Sequence, residues 1–164
     1  MIKPNSLKEF LDVFYKKILE TSIDVSNYNM DHVAYQASSA DDYGSVVKKL
    51  SSQGDLLQEP LIGGRRVAMI KLGKPIEHEG NKILALEVLE PKVGQVCESG
   101  WEHAEYVIDI SFDEMMQKYP DLPWITNSTD RSVFAHLKLN LGEDMQVKFH
   151  TMDILGVINI GKEQ

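Results

Sequence analysis

One cysteine, Cys97, is the whole thiol complement of the chain, which rules out an intrachain disulfide framework and implies a reducing compartment. It sits in GQVCESGW, a loop-like stretch that gives no reason to read it as a nucleophile. Basic residues are also in short supply: 17 Lys and Arg against 25 Asp and Glu leave a formal charge of −8. Nucleic acid and anionic membrane both need a basic face, so neither fits as a partner, and the acidic surface reads as a solubility device. No run of about 18 apolar residues occurs, and MIKPNSLKEF lacks the apolar stretch of a secretion signal. Together these absences point to a cytoplasmic protein.

What is present is enough for a core. A hydrophobic fraction of 43% and a charged fraction of 26% over 164 residues fit one globular domain, residues 1–164. Residues 6–20, SLKEFLDVFYKKILE, carry Leu7, Phe10, Leu11, Phe14, Ile18 and Leu19 at helical spacing, and Ser6 with Glu9 has the spacing of a capping box. DHVAYQAS then alternates as a strand, with His32, Ala34 and Gln36 on one face and Val33 and Tyr35 on the other. ADDYGSVVKKLSSQG reads as a helix stopped by Gly54, and DLLQEPLI, RRVAMIKLG and KILALEVLEP read as strands, with KPIEHEGN a polar hairpin loop.

The second half repeats this order. EHAEYVIDI is a strand and SFDEMMQKYP a helix, with Phe112, Met115, Met116 and Tyr119 spaced as are Tyr43, Val46, Val47 and Leu50. SVFAHLKLNL and MQVKFHTMDI follow as strands joined by GED. Each half is a βαβββ module, over residues 30–91 and 101–158, and similarity in fixed order is the mark of duplication. The expected fold is α+β: two tandem modules forming a curved-sheet cup behind an N-terminal helix.

Two such modules, each opening on a strand histidine in MDHVAYQ and WEHAEYV, resemble the vicinal oxygen chelate superfamily, which includes glyoxalase I, extradiol dioxygenases and fosfomycin-resistance enzymes. The leading helix with DHVAY, GWEHAEYVID and VKFHT most resembles the YecM-like proteins, over roughly residues 5–158. The resemblance implies a divalent metal inside the cup, held from the first and last strands of each module. The matching positions are His32, Glu87 and His103; Lys148 falls opposite Glu87, and a protonated lysine cannot ligate, so His150, two residues on and on the same face, is the substitute.

The residues make a parallel case of their own. Two imidazoles and a carboxylate suit a first-row divalent ion such as Zn, Ni, Mn, Fe or Co, and open positions would admit substrate. Glu87 alternates inward with Ala85 and Leu89, and a buried Glu asks for a cation; a partner such as Lys148, or solvent, would serve equally. Each histidine alone reads as a core imidazole bonded to backbone. Glu105 shares the face of His103 and is a further ligand, an orienting partner, a general base, or an exposed strand residue. Lys148 either neutralises a bound oxyanion or sits solvated at a strand edge. His78 reads as solvated, His136 as a strand histidine with a satisfied ring, and Trp101 and Trp124 as packing residues. GGRR at 63–66 precedes no helix, which leaves Arg65 or Arg66 to meet a substrate anion at the rim. The implied chemistry is that of a metal-dependent lyase, isomerase or dioxygenase on a small molecule; a non-catalytic binding protein on the same scaffold is the alternative.

Overall fold

The computed structural model describes residue 4 and residues 6–163; residues 1–3, 5 and 164 of the expected 1–164 domain lie outside the described residues. Helix α1 (Leu7–Glu20) starts at Ser6, whose side chain accepts the Glu9 amide, and buries Phe10, Leu11, Phe14 and Ile18. Burial of each such side chain is worth about 1.5–3 kcal/mol, so this stripe suffices to dock the helix. Leu19, read above as part of the stripe, turns to solvent at 56% exposure.

The first module contains β1 (Asn29–Gln36), α2 (Ala40–Leu50), β2 (Gly54–Gln58), a short β3 (Leu61–Ile62), β4 (Arg65–His78) and β5 (Asn81–Leu89). The second contains β6 (Gly100–Val107), α3 (Phe112–Lys118), β7 (Leu137–Gly142) and β8 (Met145–His150). The strands build one sheet in the order β2-β4-β5-β1-β6-β8-β7, with β3 on β4. In each module the first strand runs parallel to the last, β1 with β5 and β6 with β8, and the two halves join through antiparallel β1 and β6. That arrangement relates the halves by a pseudo-twofold between β1 and β6.

Alternation along the strands gives the sheet two distinct faces. Val33, Leu86, Val88, Ala104, Tyr106, Val147 and Phe149 belong to a large core that also takes in residues of α1, α2 and α3. Phe14 of α1 and Phe149 of β8 stack on either side of Tyr106, with ring centroids 6.4 and 5.9 Å apart. The opposite face is the inside of the cup. Its apolar part, Ala34, Val67, Met69, Ala85 and Leu89, packs with Ile154 and Ile158 of a final helix, α4 (Ile154–Glu163).

Several expectations need adjusting. Gly54 does not end a helix in the left-handed region: its backbone is extended, and a Cβ there would lie 1.9 Å from the Lys71 carbonyl oxygen. KPIEHEGN is mostly strand, because β4 runs on to His78 and turns only at Glu79 and Gly80, both at positive φ; a register shift between Lys71 and Ile76 absorbs Gly73 and Pro75. His78 is not solvated there; it packs edge-on against Tyr15, 2.8 Å from Asp12 of α1. SVFAHLKLNL is extended only from Leu137. Phe134 sits at φ 57° and breaks the strand, and residues 131–136 form a loop over the cup instead.

Candidate metal centre

The sheet places its polar residues by register. On β1 and β5, His32 pairs with Ala85 and Ala34 with Glu87; on β6 and β8, His103 pairs with Gln146 and Glu105 with Lys148. The pseudo-twofold therefore equates His32 with His103, Ala34 with Glu105, and Glu87 with Lys148. His150, one alternation beyond Lys148, corresponds to Leu89. The symmetry thus sets two imidazoles at equivalent inner positions, and a carboxylate and a lysine at the other equivalent pair.

These side chains converge. A ring nitrogen of His32, a Glu87 oxygen and a Glu105 oxygen lie within 4.8 Å of one another. Glu105 Oε1 stands 3.3 Å from His32 Nε2 and 3.4 Å from His103 Nε2, and His103 Nε2 is 3.3 Å from Glu87 Oε2. Lys148 Nζ lies 3.7 Å from Glu105 Oε1, at the edge of the group. His32 and His103 are buried, as is Glu105.

Asp31, which sequence reading left out, anchors the cluster. β1 carries a bulge between Met30 and His32, so Asp31 is the extra residue and its side chain joins His32 on the inner face. Asp31 Oδ1 is 2.9 Å from His32 Nδ1 and 3.0 Å from His150 Nε2, while Oδ2 accepts the Ile154 amide of α4 at 2.7 Å. A carboxylate on Nδ1 fixes the ring and directs Nε2 toward Glu87 and Glu105, which is the usual partnership behind a metal-bound histidine. His150, expected above as a ligand, has its Nε2 3.0 Å from Asp31 Oδ1 and 4.0 Å from Glu105, and with Asp31 and His32 it forms a second group whose atoms could hold a metal ion.

Electrostatics follow the geometry. Burial opposes charge on His32, yet Glu105 and Asp31 outweigh it and raise its affinity for a proton well above the ordinary imidazole value. Burial likewise opposes ionisation of Glu105, but His32 and Lys148 hold its carboxyl well below the usual range; Glu87 is lowered by His103 and His32 against the same penalty. Asp31 is also lowered, burial being overcome by His32 and His150. A spot that draws a proton to Nε2 between two carboxylates suits a divalent cation equally well.

The same is true of the unmet polar atoms. Among the described residues, Glu87 Oε2 and both ring nitrogens of His103 are buried without a hydrogen-bond partner, although Glu87 Oε2 and His103 Nε2 approach to 3.3 Å. Such atoms cost roughly 1–3 kcal/mol each when left unpaired, and a coordinated cation would satisfy Glu87 and His103 Nε2 together. Two imidazoles and two carboxylates are a donor set that fits a first-row divalent metal.

The cluster forms one side of a cavity of about 240 Å³. Its other walls include Arg65, the 131–136 loop with Arg131, and Ile154 and Val157 of α4. His136 also faces it: Nδ1 lies 2.9 Å from the Phe134 carbonyl, which fixes the neutral ring with Nδ1–H donating. Burial, aided by Lys148, pushes its pKa down to about 4. Of the remaining residues set aside above, Arg66 pairs with Glu90, Trp101 packs edge-on against Tyr35 and Trp124 against Phe149, and Cys97 is half-buried with its thiol 3.4 Å from the Ala37 carbonyl. No helix among the described residues is long and apolar enough to cross a membrane.

Comparison with known proteins agrees with this architecture. A structural-genomics protein designated EC4020 superposes over 100% of this chain and 99% of its own, with a TM-score of 0.75 at 19% identity. A single-substitution variant of Streptomyces coelicolor methylmalonyl-CoA epimerase in complex with 2-nitronate-propionyl-CoA, a vicinal oxygen chelate protein, gives 0.55 at 14% identity over 78% of this chain and 96% of its own. An uncharacterised Haemophilus influenzae protein is 30% identical over 107 residues, 63% of this chain, and the match spans 56% of that relative's length. The YecM protein family profile matches residues 3–149, most of the chain and every strand of the cup but the last residue of β8. This match makes the chain a member of the YecM family, and its paired modules, the second with two strands after its helix where three were expected, have the fold of the vicinal oxygen chelate superfamily.

Proposed function

We propose that the protein is a divalent-metal-dependent enzyme acting on a small molecule chelated through two neighbouring oxygens, by lyase, isomerase or dioxygenase-type chemistry. The observation that carries this reading is the convergence of His32, Glu87 and Glu105 within 4.8 Å, beside a His103 whose buried ring has no hydrogen bond. His32, Glu87, His103 and Glu105 would hold the metal, and Asp31 with His150 would orient His32. When bound, the metal supplies Lewis-acid stabilisation of negative charge on a chelated oxygen.

The chain's own groups do the rest. Glu105 presents Oε1 to the two imidazoles and lines the cavity. Held ionised by His32 and Lys148, it would serve as a metal ligand in the free protein, and a substrate or metal that draws His32 and Lys148 away from it would raise its basicity toward that of a general base. Lys148, 3.7 Å from Glu105, sets a fixed positive charge against an oxyanion formed there. Apolar walls and α4 keep bulk water from the cluster, which strengthens these electrostatic contacts. The fold shared with an epimerase bound to 2-nitronate-propionyl-CoA supports a small-molecule ligand in the cup.

One observation favours a second reading, a non-catalytic binding protein. Lys148 occupies the register position equivalent to Glu87, so one of the four symmetric ligand positions holds a cation. The test is the metal content of protein purified without chelator or histidine tag, for wild type and for His32→Ala combined with His103→Ala. Near-stoichiometric metal in the wild type, lost in the double variant with its far-UV spectrum retained, supports the enzyme reading. Absence of metal, with no uptake of Mn, Fe, Co, Ni or Zn, removes it and leaves the binding protein.

A further inference from the structure

Arg65 and Arg66 are neighbours on β4 in opposite circumstances. Arg66 gives its charge to Glu90, with Nη2 2.7 Å from Oε1 and Nε 3.0 Å from Oε2, and its guanidinium lies over the Tyr43 ring. Arg65 lines the cup and is held by neutral acceptors only. Its Nη1 donates to Gln36 Oε1 at 3.0 Å and to the Glu90 carbonyl oxygen at 3.4 Å. Gln36 is buried, and its own amide is fixed by donating to the Ala37 carbonyl at 2.9 Å. The fold therefore orients the Arg65 guanidinium without neutralising it.

Arg131 lines the same cavity from the loop over the cup, and among the described residues neither Arg131 nor Arg65 has a carboxylate within ion-pair distance. Lys148 also lines the cavity, but its charge faces Glu105 at 3.7 Å. Lys138, on the neighbouring strand β7, is destabilised as a cation by burial and by Lys148 and Arg131. The carboxylates of the cavity, Glu87 and Glu105, are gathered around His32 and His103, whereas Arg65 and Arg131 stand apart from them. Such segregation focuses an attractive field on anions entering a cleft.

We infer that the mouth of the cup is an oxyanion site, in which Arg65 and Arg131 bind a carboxylate or phosphate group of the ligand. That this group belongs to the molecule whose vicinal oxygens reach the metal centre rests on the function proposed above; the oxyanion site itself does not. Guanidinium suits both anions, since its planar fork gives two parallel hydrogen bonds to either. A cavity of about 240 Å³ lies below the roughly 300–1,000 Å³ of pockets for drug-sized ligands, so the ligand is a short acid or phosphoester, or the reacting end of a longer one.

Calorimetric titration of the metal-free protein with inorganic phosphate, malonate and neutral malonamide tests this. Both dianions should bind with affinity that falls as salt rises, and malonamide should not bind. Arg65→Gln and Arg131→Gln should each weaken dianion binding about tenfold or more, the loss of a charge-assisted contact. Arg66→Gln should leave it unchanged, and Arg65→Lys should retain part of it. The salt dependence in the wild type needs no variant to fold. Tighter phosphate assigns the group as a phosphoester and tighter malonate as a carboxylate; either supports the site. Equal dianion binding by all variants, malonamide binding as well as malonate, or no dianion binding would overturn it. Manganese uptake by the same samples separates the two proposals: dianion binding without uptake removes the metal-dependent function alone, and the converse removes the oxyanion site alone.

Discussion

Asp31 Oδ1 lies 2.9 Å from Nδ1 of His32, its neighbour in sequence, and the two face the same side of the sheet because β1 bulges at that point. Adjacent strand residues ordinarily point to opposite faces. The bulge therefore builds the support of the proposed metal centre out of one local irregularity, and the same carboxylate holds His150 and the start of α4. Asp31→Asn should keep most of the fold and lower metal affinity about 10–100-fold, as loss of an orienting carboxylate does elsewhere. Equilibrium dialysis with Zn or Mn would read this. Asp31→Ala, which strands His32 and His150 without their partner, should cost about 3–5 kcal/mol in urea unfolding of the metal-free protein.

Lys148→Glu restores a carboxylate at the position equivalent to Glu87. Without metal it sets like charge beside Glu105 and removes a cation that lowers the Glu105 pKa, so the melting temperature should fall. With a divalent metal present the order should reverse, because a further carboxylate adds to the donor set. The metal-induced rise in Tm, measured by calorimetry, should be larger in the variant than in the wild type.

His136 makes stability depend on pH in a defined window. Its folded pKa is lowered to about 4 from an ordinary value of 6.5, so below pH 6.5 the unfolded chain binds the proton that the fold refuses. Its contribution is complete above pH 6.5 and is lost progressively as pH falls to about 4. The shift corresponds to about 3 kcal/mol at most. Urea unfolding at pH 7 and pH 4.5 should show a smaller loss for His136→Gln than for the wild type, and the His136 ring signal should titrate near pH 4 by NMR.

Ile158 of α4 is fully buried in the small core that lines the cup. Ile158→Ala should cost about 2–5 kcal/mol. Loosening α4 should also quicken amide exchange at Ile154, whose N–H is held by Asp31. Hydrogen exchange followed residue by residue would register both effects.

Much of this arrangement was legible in the sequence, because period-two alternation survives wherever strands are regular. Alternation put His32, Glu87 and His103 on candidate inner positions and Glu105 on the face of His103, though it left Glu105 and Glu87 open to solvent. The parallel registers set Lys148 at the position of Glu87. What escaped were departures from the period. Strict alternation sends Asp31 to the face opposite His32, and only the bulge, which no residue type announces, brings it round. Phe134 at positive φ ends an apparent strand and gives His136 to the cavity; a phenylalanine carries no signal for that conformation. The helix α4 did leave a trace: Asp153, whose Oδ1 accepts the Gly156 amide, followed by Ile154, Val157 and Ile158 at helical spacing. Arg65 and Arg66 are indistinguishable in sequence, and only tertiary contacts decide which keeps its charge for a ligand.

The most direct measurement is pulsed electron paramagnetic resonance of the manganese-loaded protein with 15N-labelled histidine. Two imidazole nitrogens should couple to the metal, with one coupling lost in His32→Ala and the other in His103→Ala, and none lost in His78→Ala, since His78 sits against α1. Manganese that binds without nitrogen coupling, or a coupling that survives in both variants, would contradict a metal centre built on His32 and His103.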